Sequence, residues 1–370
     1  MRGFKGYVSV LSRVKRNSSA PGGKSLSGVA NASIGFYTVW IVHLGRRYGI
    51  LEAFSRRKRP AGTKSIAHVT HLAERAVQVW CEAARSLGVI DGKRGGYRLP
   101  AKHRALLADP YDLRFLGGQF SYLALRSLDF EAFDDFFRRG EAGAAGVRHL
   151  REAADEATRW DHTSFLKFLL PCMPKLSARL RAGARVLDVG CGTGGWTFRM
   201  ADAFPRSSFT GIDPDRKAIR IAGGKVRGGD RICFRVANGG EPRNESAPFD
   251  IAYLGEVLYG VGDKVGLLRN VKRSLAANGT LVLAEGLVTP PRRTPDPAAQ
   301  LVAAMGLDFA LQGARFFEKP ELESLLRKAG FRRVEFHDAG GGLWFVVANA
   351  GPKQGGSERR GAARRARGDR

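Results

Sequence analysis

Two acids and a cluster of glycines within thirty residues are the part of this chain best equipped for chemistry. From Arg185 to Asp215 it reads RVLDVGCGTGGWTFRMADAFPRSSFTGIDPD. Gly190, Gly192, Gly194 and Gly195 carry no Cβ, so a ligand can lie against the backbone, and the helix that starts here offers N–H groups with no partner inside it. Asp213, ending the following strand, can accept both hydroxyl protons of a ribose. Together these groups suit a nucleoside. Gly190, Gly192 and Gly195 also satisfy the G-x-G-x-x-G spacing of a dinucleotide site, and Asp188 tips the balance. A carboxylate two residues before the first glycine repels a pyrophosphate, whereas it tolerates a cation carrying an ammonium and a sulfonium.

The elements that must hold these residues follow from their periodicity. Val186 to Val189 is an apolar run broken only by Asp188, Trp196, Phe198, Met200, Ala201 and Phe204 recur at roughly helical spacing, and Phe209 to Ile212 is a second apolar run: a βαβ unit. Ile232 to Val236 is a third strand, closed by Ala237-Asn238-Gly239, and Phe249 to Leu254 a fourth, followed by Gly255-Glu256-Val257-Leu258-Tyr259. Ligands of open α/β sheets bind at the carboxyl ends of strands where the order reverses, which sets Glu256 to Tyr259 beside the glycine turn. The remaining pattern predicts a helix over Val265 to Leu275 stopped by Asn278-Gly279, a strand over Thr280 to Ala284, and a helix over Lys319 to Ala329 closed by Gly330. An antiparallel hairpin ends the fold, Val334 to His337 and Trp344 to Val347 around Gly340 to Gly342, and the proline-rich stretch Val288 to Pro297 is expected to be mobile or to cover substrate.

The run Val186-Leu187-Asp188-Val189-Gly190-Cys191-Gly192-Thr193-Gly194, with Gly211-Ile212-Asp213 after it, resembles the first two motifs of class I S-adenosylmethionine-dependent methyltransferases. The resemblance implies an α/β fold with a Rossmann-like, mostly parallel sheet, and S-adenosyl-L-methionine as methyl donor. It implies a donor-binding set of Asp188, Gly190, Cys191, Gly192, Gly194, Asp213, Pro214, Asn238, Gly239, Glu256 and Val257, with Asn238 meeting the adenine amino group; no metal is expected. Phenol O-methyltransferases of this architecture carry a histidine base shortly after the fourth strand. Tyr259 stands at that position here, and no histidine lies nearby. A tyrosine of ordinary pKa (~10) is a poor base at neutral pH but can hydrogen-bond or shape the pocket, so Tyr259 is the candidate catalytic residue. His162 and His337 lie elsewhere in sequence and are read as surface or core histidines.

Ahead of this region, Ile34 to Phe54 fits a helix broken near Gly49. A short helix around Ile66 to Thr70 and an amphipathic helix from Glu74 to Leu87, with Val77, Trp80, Cys81, Ala84 and Leu87 on one face, precede a hairpin in which Val89-Ile90 and Tyr97-Arg98-Leu99 bracket the turn Asp91 to Gly96. That order is a winged helix. It has two possible uses: DNA binding, with only Arg75, Gln78 and Arg85 to read bases and with Glu74 and Glu82 opposing phosphate, or dimerisation and substrate covering, since the segment resembles the N-terminal winged-helix domain of many small-molecule methyltransferases. Residues 101 to 180 look mainly helical, and Phe130, Phe133, Phe136, Phe137, Trp160, Phe165 and Phe168 are read as core or dimer contacts. The expected organisation is a disordered basic segment 1–30, a winged-helix dimerisation domain 31–110, a helical linker and lid 111–180, a methyltransferase domain 181–350 and a disordered basic tail 351–370.

Composition sets the outer limits. At 370 residues the chain suits two domains, because single cores stop growing at roughly 250–300 residues, and no apolar run approaches the ~18 residues of a membrane span. The net charge of +26 is concentrated partly at the ends: eight bases precede the first acid, Glu52, and the last twenty residues hold seven against Glu358 and Asp369. Such ends can touch nucleic acid nonspecifically, and the acid-free front also fits an organelle import signal. Four cysteines without C-x-x-C spacing argue for a reducing, cytoplasmic setting and against structural zinc. The leading expectation is methyl transfer to an O or N atom of a small organic molecule by a homodimer joined through its N-terminal helices. The other readings are a DNA-binding regulator that senses the methyl donor, and an RNA or protein methyltransferase. The last lacks the Asn/Asp-Pro-Pro-Tyr/Phe clamp of base-amine methyltransferases.

Overall fold

Apolar residues at helical spacing build the first of two units. The computed structural model describes residues 21–93, 95–239, 247–288 and 297–352. The chain divides into Met1–Glu131 with Val147–Thr163, and Ala132–Gly146 with Ser164–Arg370. In the first unit helix α1 (Pro21–Arg47) is followed by Gly49, whose φ of 68° redirects the chain into α2 (Ile50–Ser55). Helices α3 (Thr63–Thr70) and α4 (Glu74–Ser86) follow, then a two-stranded antiparallel ribbon, β1 (Asp91–Lys93) and β2 (Gly96–Arg98). Val77, Trp80, Cys81 and Ala84 form the buried face of α4, and the Trp80 indole N–H, which could not be left unpaired in the core, donates to the Ile41 carbonyl at 2.9 Å. Arg46 of α1 is held over the Phe115 ring and donates to the Leu107 carbonyl and the Glu156 carboxylate.

Two expectations for this unit need correction. Helix α1 begins at Pro21, so residues 21–30 are helical rather than disordered; proline suits a first helical position because its missing N–H would have no intrahelical partner there. The ribbon is built from Asp91–Lys93, not Val89-Ile90, because Val89 and Ile90 are drawn into the core and leave the polar residues to pair. Residues 1–20 and 353–370, which hold most of both basic ends, lie outside the described residues.

The second unit is a sheet flanked by helices. Strands β3 (Arg185–Val189), β4 (Ser208–Asp213), β5 (Ile232–Val236), β6 (Phe249–Gly255) and β7 (Leu275–Val288) run parallel in the spatial order β5-β4-β3-β6-β7. A short strand β8 (Phe317–Glu318) pairs with the end of β7. The last two strands, β9 (Arg332–Gly340) and β10 (Leu343–Asn349), form the expected hairpin, with β10 inserted antiparallel between β7 and β9. Val186, Leu187 and Val189 of β3 are all buried, as a central parallel strand covered on both faces requires. The order reverses at β3, flanked by β4 and β6, and this opens a crevice at the carboxyl ends of β3 and β6.

Helices α5 (Gly195–Ala203), α6 (Arg216–Lys225), α7 (Lys264–Ser274), α8 (Pro297–Leu311) and α9 (Lys319–Lys328) flank the sheet or follow it. Asp215 caps α6 by accepting from the N–H groups of Lys217 and Ala218, and Asp263 caps α7 by accepting from Gly266. Asn278-Gly279 does not stop α7. The helix ends at Ser274, and Asn278, at φ 57°, sits inside the longer strand β7, where its N–H donates to the Gly351 carbonyl and Gly279 accepts from Ala350. Residues 289–296 of the proline-rich stretch lie outside the described residues.

Candidate active site

The turn after β3 needs backbone angles that side chains resist: Gly190, Gly192 and Gly194 have φ of 73°, 54° and 82°. The N–H groups of Gly190 and Cys191 both donate to the Ile212 carbonyl of β4, at 2.8 and 3.1 Å, so the turn is tied to the neighbouring strand. A Cβ on Gly190 would lie 2.4 Å from Cγ2 of Val257, which shows how closely the segment after β6 approaches the turn. On the other flank a Cβ on Gly239 would meet Leu267 at 2.4 Å and Val189 at 2.9 Å. Four strand ends therefore converge on one place, as the sequence leads one to expect.

Asp213 sits at that convergence. Its Oδ2 accepts from the Gly192 N–H at 2.9 Å and its Oδ1 from the Asp215 N–H at 2.8 Å. Each carboxylate oxygen has a second lone pair, so two further hydroxyl donors can be accepted without breaking either bond. Asn238 is exposed just after β5, where the Ala237 N–H donates to the Asp213 carbonyl, and Pro214 is exposed beside them. Lys225 of α6 fastens the far side of the turn by donating to the Thr193 carbonyl at 3.2 Å.

Asp188 plays a different part from a lining residue. It is only 2% exposed, and Thr197 of α5 donates to its Oδ2. Burial pushes its pKa up to about 7, with the nearby Asp213 charge adding to the rise and the Thr197 hydrogen bond opposing it. Any influence on a ligand passes through the field and the shape of the turn rather than direct contact. Cys191 is buried too, and desolvation beside Asp188 and Asp213 raises its thiol pKa, leaving no thiolate for chemistry.

Beyond β6 the chain is held by a residue that sequence reasoning passed over. Glu285, fully buried on β7, accepts from the N–H groups of Val257 and Leu258 at 3.3 and 2.9 Å. Its signal was an acid embedded in the apolar strand Leu281 to Val288. Glu256 stands at φ 57°, a left-handed conformation for a residue with a side chain, and its own N–H still donates to Ala284 of β7. The Tyr259 hydroxyl donates to Glu256 Oε2 at 2.7 Å, and burial pushes the Glu256 pKa up to about 7 against that hydrogen bond and one from the Gly286 N–H. The Tyr259 ring meets Phe309 of α8 edge-on with centroids 4.8 Å apart, and Phe309 stacks on Phe316 at 3.9 Å. His337 lies on the edge strand β9, with Nε2 3.7 Å from Glu335, while His162 is buried in the first unit. A cavity of 560 Å³ lined by Leu170, Pro174, Arg181 and Phe204 lies at the other end of α5 from the glycine turn.

A family model described as a methyltransferase domain matches residues 160–335. The demethylmenaquinone methyltransferase of Lactococcus lactis is 30% identical over 178 residues, which cover 43% of this chain and 70% of that protein. The chain belongs to the class I S-adenosylmethionine-dependent methyltransferases. The 27-O-demethylrifamycin SV methyltransferase of Amycolatopsis mediterranei is 33% identical over 130 residues, 34% of this methyltransferase and 47% of that protein. The methyltransferase thus spans about half the length of that relative. In fold it is similar to human N-acetylserotonin methyltransferase, solved with S-adenosylmethionine: TM-score 0.65 at 19% identity, covering 90% of this chain and 99% of that one.

Proposed function

We propose that this methyltransferase binds S-adenosylmethionine over the glycine turn and transfers its methyl group to an O or N atom of a small organic molecule. The observation that carries the reading is the Asp213 carboxylate, locked by two backbone N–H groups with its outer lone pairs free for a ribose. The residues present fit that donor: the backbone is bare at Gly190, and Asn238 is exposed where the adenine amino group would lie. When bound, the donor supplies a methyl on a cationic sulfur, so the leaving group is neutral and needs no acid. What remains for the chain is to hold the acceptor about 3 Å from that methyl, which can supply several kcal/mol of the barrier, and Tyr259 is the side chain assigned to meet the acceptor. The rifamycin and menaquinone relatives act, by their names, on small molecules, which agrees with this reading.

Titration calorimetry with S-adenosylhomocysteine tests it. A charged hydrogen bond is worth roughly 1.5–3 kcal/mol, so Asp213→Ala should weaken binding at least tenfold. Affinity unchanged by the substitution, or displacement by low-micromolar NAD, would overturn the assignment.

For the first unit, α3, α4 and the β1–β2 ribbon are assigned to a winged-helix module that serves dimerisation. Ile34, Phe36 and Tyr37 stand 47%, 55% and 64% exposed on α1, an apolar surface suited to a second copy. The DNA reading finds less support, since on α4 the Gln78 amide donates to Glu82 and so occupies one of the three base-reading side chains. A monomer in sedimentation would remove the dimer. Among the described residues no helix is long and apolar enough to cross a membrane, and a cytoplasmic setting remains part of this proposal.

A further inference from the structure

The proposed reaction needs somewhere for the acceptor's proton to go, and no histidine occupies the segment after β6. Two groups there are already joined. The Tyr259 hydroxyl donates to Glu256 Oε2 at 2.7 Å. Glu256 is held in a left-handed backbone conformation, anchored by its own N–H to Ala284, and Val257 beside it lies against the glycine turn. This geometry is costly for a residue with a side chain, and it turns the carboxylate toward Tyr259 instead of continuing strand β6.

We propose that Tyr259 and Glu256 form a proton-accepting pair: the acceptor hydroxyl gives its proton to the Tyr259 phenol oxygen while that phenol passes its own proton to Glu256, and the acceptor is accordingly a molecule with a weakly acidic hydroxyl, a phenol or an enol. This rests on the methyltransferase reading above. The acceptor O–H bond breaks, and its oxygen forms the new bond to the methyl carbon. The electron pair of the old carbon–sulfur bond leaves with the sulfur, and one proton ends on the Glu256 carboxylate. Tyr259 begins and finishes as the neutral phenol, so it needs no phenolate of its own. Glu256 acts through Tyr259 and is the proton's destination, not a donor-binding group.

The surroundings agree with that role. Burial lifts Glu256 to about 7, which makes it a stronger base than an exposed carboxylate and still ionised in good part at neutral pH. A phenol near ~10 lies about three pK units above it, a gap that positioning can bridge, whereas a hydroxyl as weak as water lies far above it. Of the other acids on packed elements, Glu285 of β7 accepts from the Val257 and Leu258 N–H groups, and Asp308 of α8 accepts from the Gln312 amide. Phe316 fills the space over Gly286, where a Cβ would meet its ring at 2.6 Å, and it stacks on the Phe309 that touches Tyr259.

The test uses the full chain in three forms, wild type, Glu256→Gln and Tyr259→Phe, with S-adenosylhomocysteine and 4-nitrophenol as probes. Infrared titration should show a carboxyl group titrating near pH 7 that vanishes in Glu256→Gln and shifts upward in Tyr259→Phe, where the stabilising phenol hydrogen bond is gone. At pH 8, with S-adenosylhomocysteine present, bound 4-nitrophenol should keep its phenolate absorbance while about one proton is taken up, the proton residing on Glu256. Glu256→Gln should lose that combination and keep its S-adenosylhomocysteine affinity. The proposal is overturned if no such carboxyl titrates, if 4-nitrophenol does not bind or binds as the neutral phenol, or if Glu256→Gln loses S-adenosylhomocysteine affinity, which would make Glu256 a donor contact. Failure of the wild type to bind S-adenosylhomocysteine would instead remove the methyltransferase reading, and the infrared titration would still decide the pair.

Discussion

Replacing Gly190 by alanine tests whether the glycine turn and the segment after β6 touch as described. The new Cβ would stand 2.4 Å from Val257 Cγ2 and 3.0 Å from its Cγ1, at a φ of 73°. Two penalties combine: the left-handed backbone, about 1–2 kcal/mol for a residue with a Cβ, and overpacking of about 1–3 kcal/mol. Gly190→Ala should therefore lose about 2–5 kcal/mol of stability in urea unfolding, together with donor affinity. Only the overpacking depends on Val257. In the double variant with Val257→Ala, 1–3 kcal/mol should return relative to additivity, while the backbone penalty stays. The coupling should appear both in unfolding midpoints and in S-adenosylhomocysteine calorimetry. Additive effects within about 0.5 kcal/mol would refute the contact, and with it the placement of Glu256 to Tyr259 beside the turn.

Asp188 predicts a pH dependence. Its folded pKa of about 7 stands above the ordinary 3.8, so between those values the native state keeps a proton that the unfolded chain sheds, and stability falls as pH rises from about 4 to 7. The fall is of the order of 4 kcal/mol at most; Asp188→Asn should flatten it, and equal unfolding free energies from urea titrations at pH 5 and 7.5 would contradict the buried, protonated state. Glu285→Ala should leave the Val257 and Leu258 N–H groups without their acceptor, costing about 1–3 kcal/mol and weakening the Tyr259–Glu256 arrangement. Unchanged stability, with the Glu256 infrared band where it was, would show that the anchor is dispensable.

Much of the fold is written in short stretches. The βαβ unit around Asp188 to Asp213 and the closing hairpin follow from local pattern: apolar runs in strands, a period of 3.6 in helices, and glycines where φ must be positive. The gathering of Gly190, Asp213, Asn238 and Val257 was legible for the same reason, since a parallel sheet with one reversal of order has one crevice for its strand ends. The errors arose where distant chain segments decided. Asn278-Gly279 reads locally as a helix stop, yet Ala350 and Gly351, just past the last strand, share hydrogen bonds with it, and it lies within β7. Val89-Ile90 reads as a strand, but the core of the first unit claims both side chains.

Sequence alone determined the glycine turn, the acid that ends β4 and the order of elements, because each is dictated by the local backbone and by residue type. Only the tertiary structure decided that Asp188 is interior rather than lining, that Glu285 anchors the segment after β6, and that the Tyr259 ring lies against Phe309 while its hydroxyl meets Glu256. Those facts are set by desolvation and by close contact between segments far apart in the chain, and no periodicity records either.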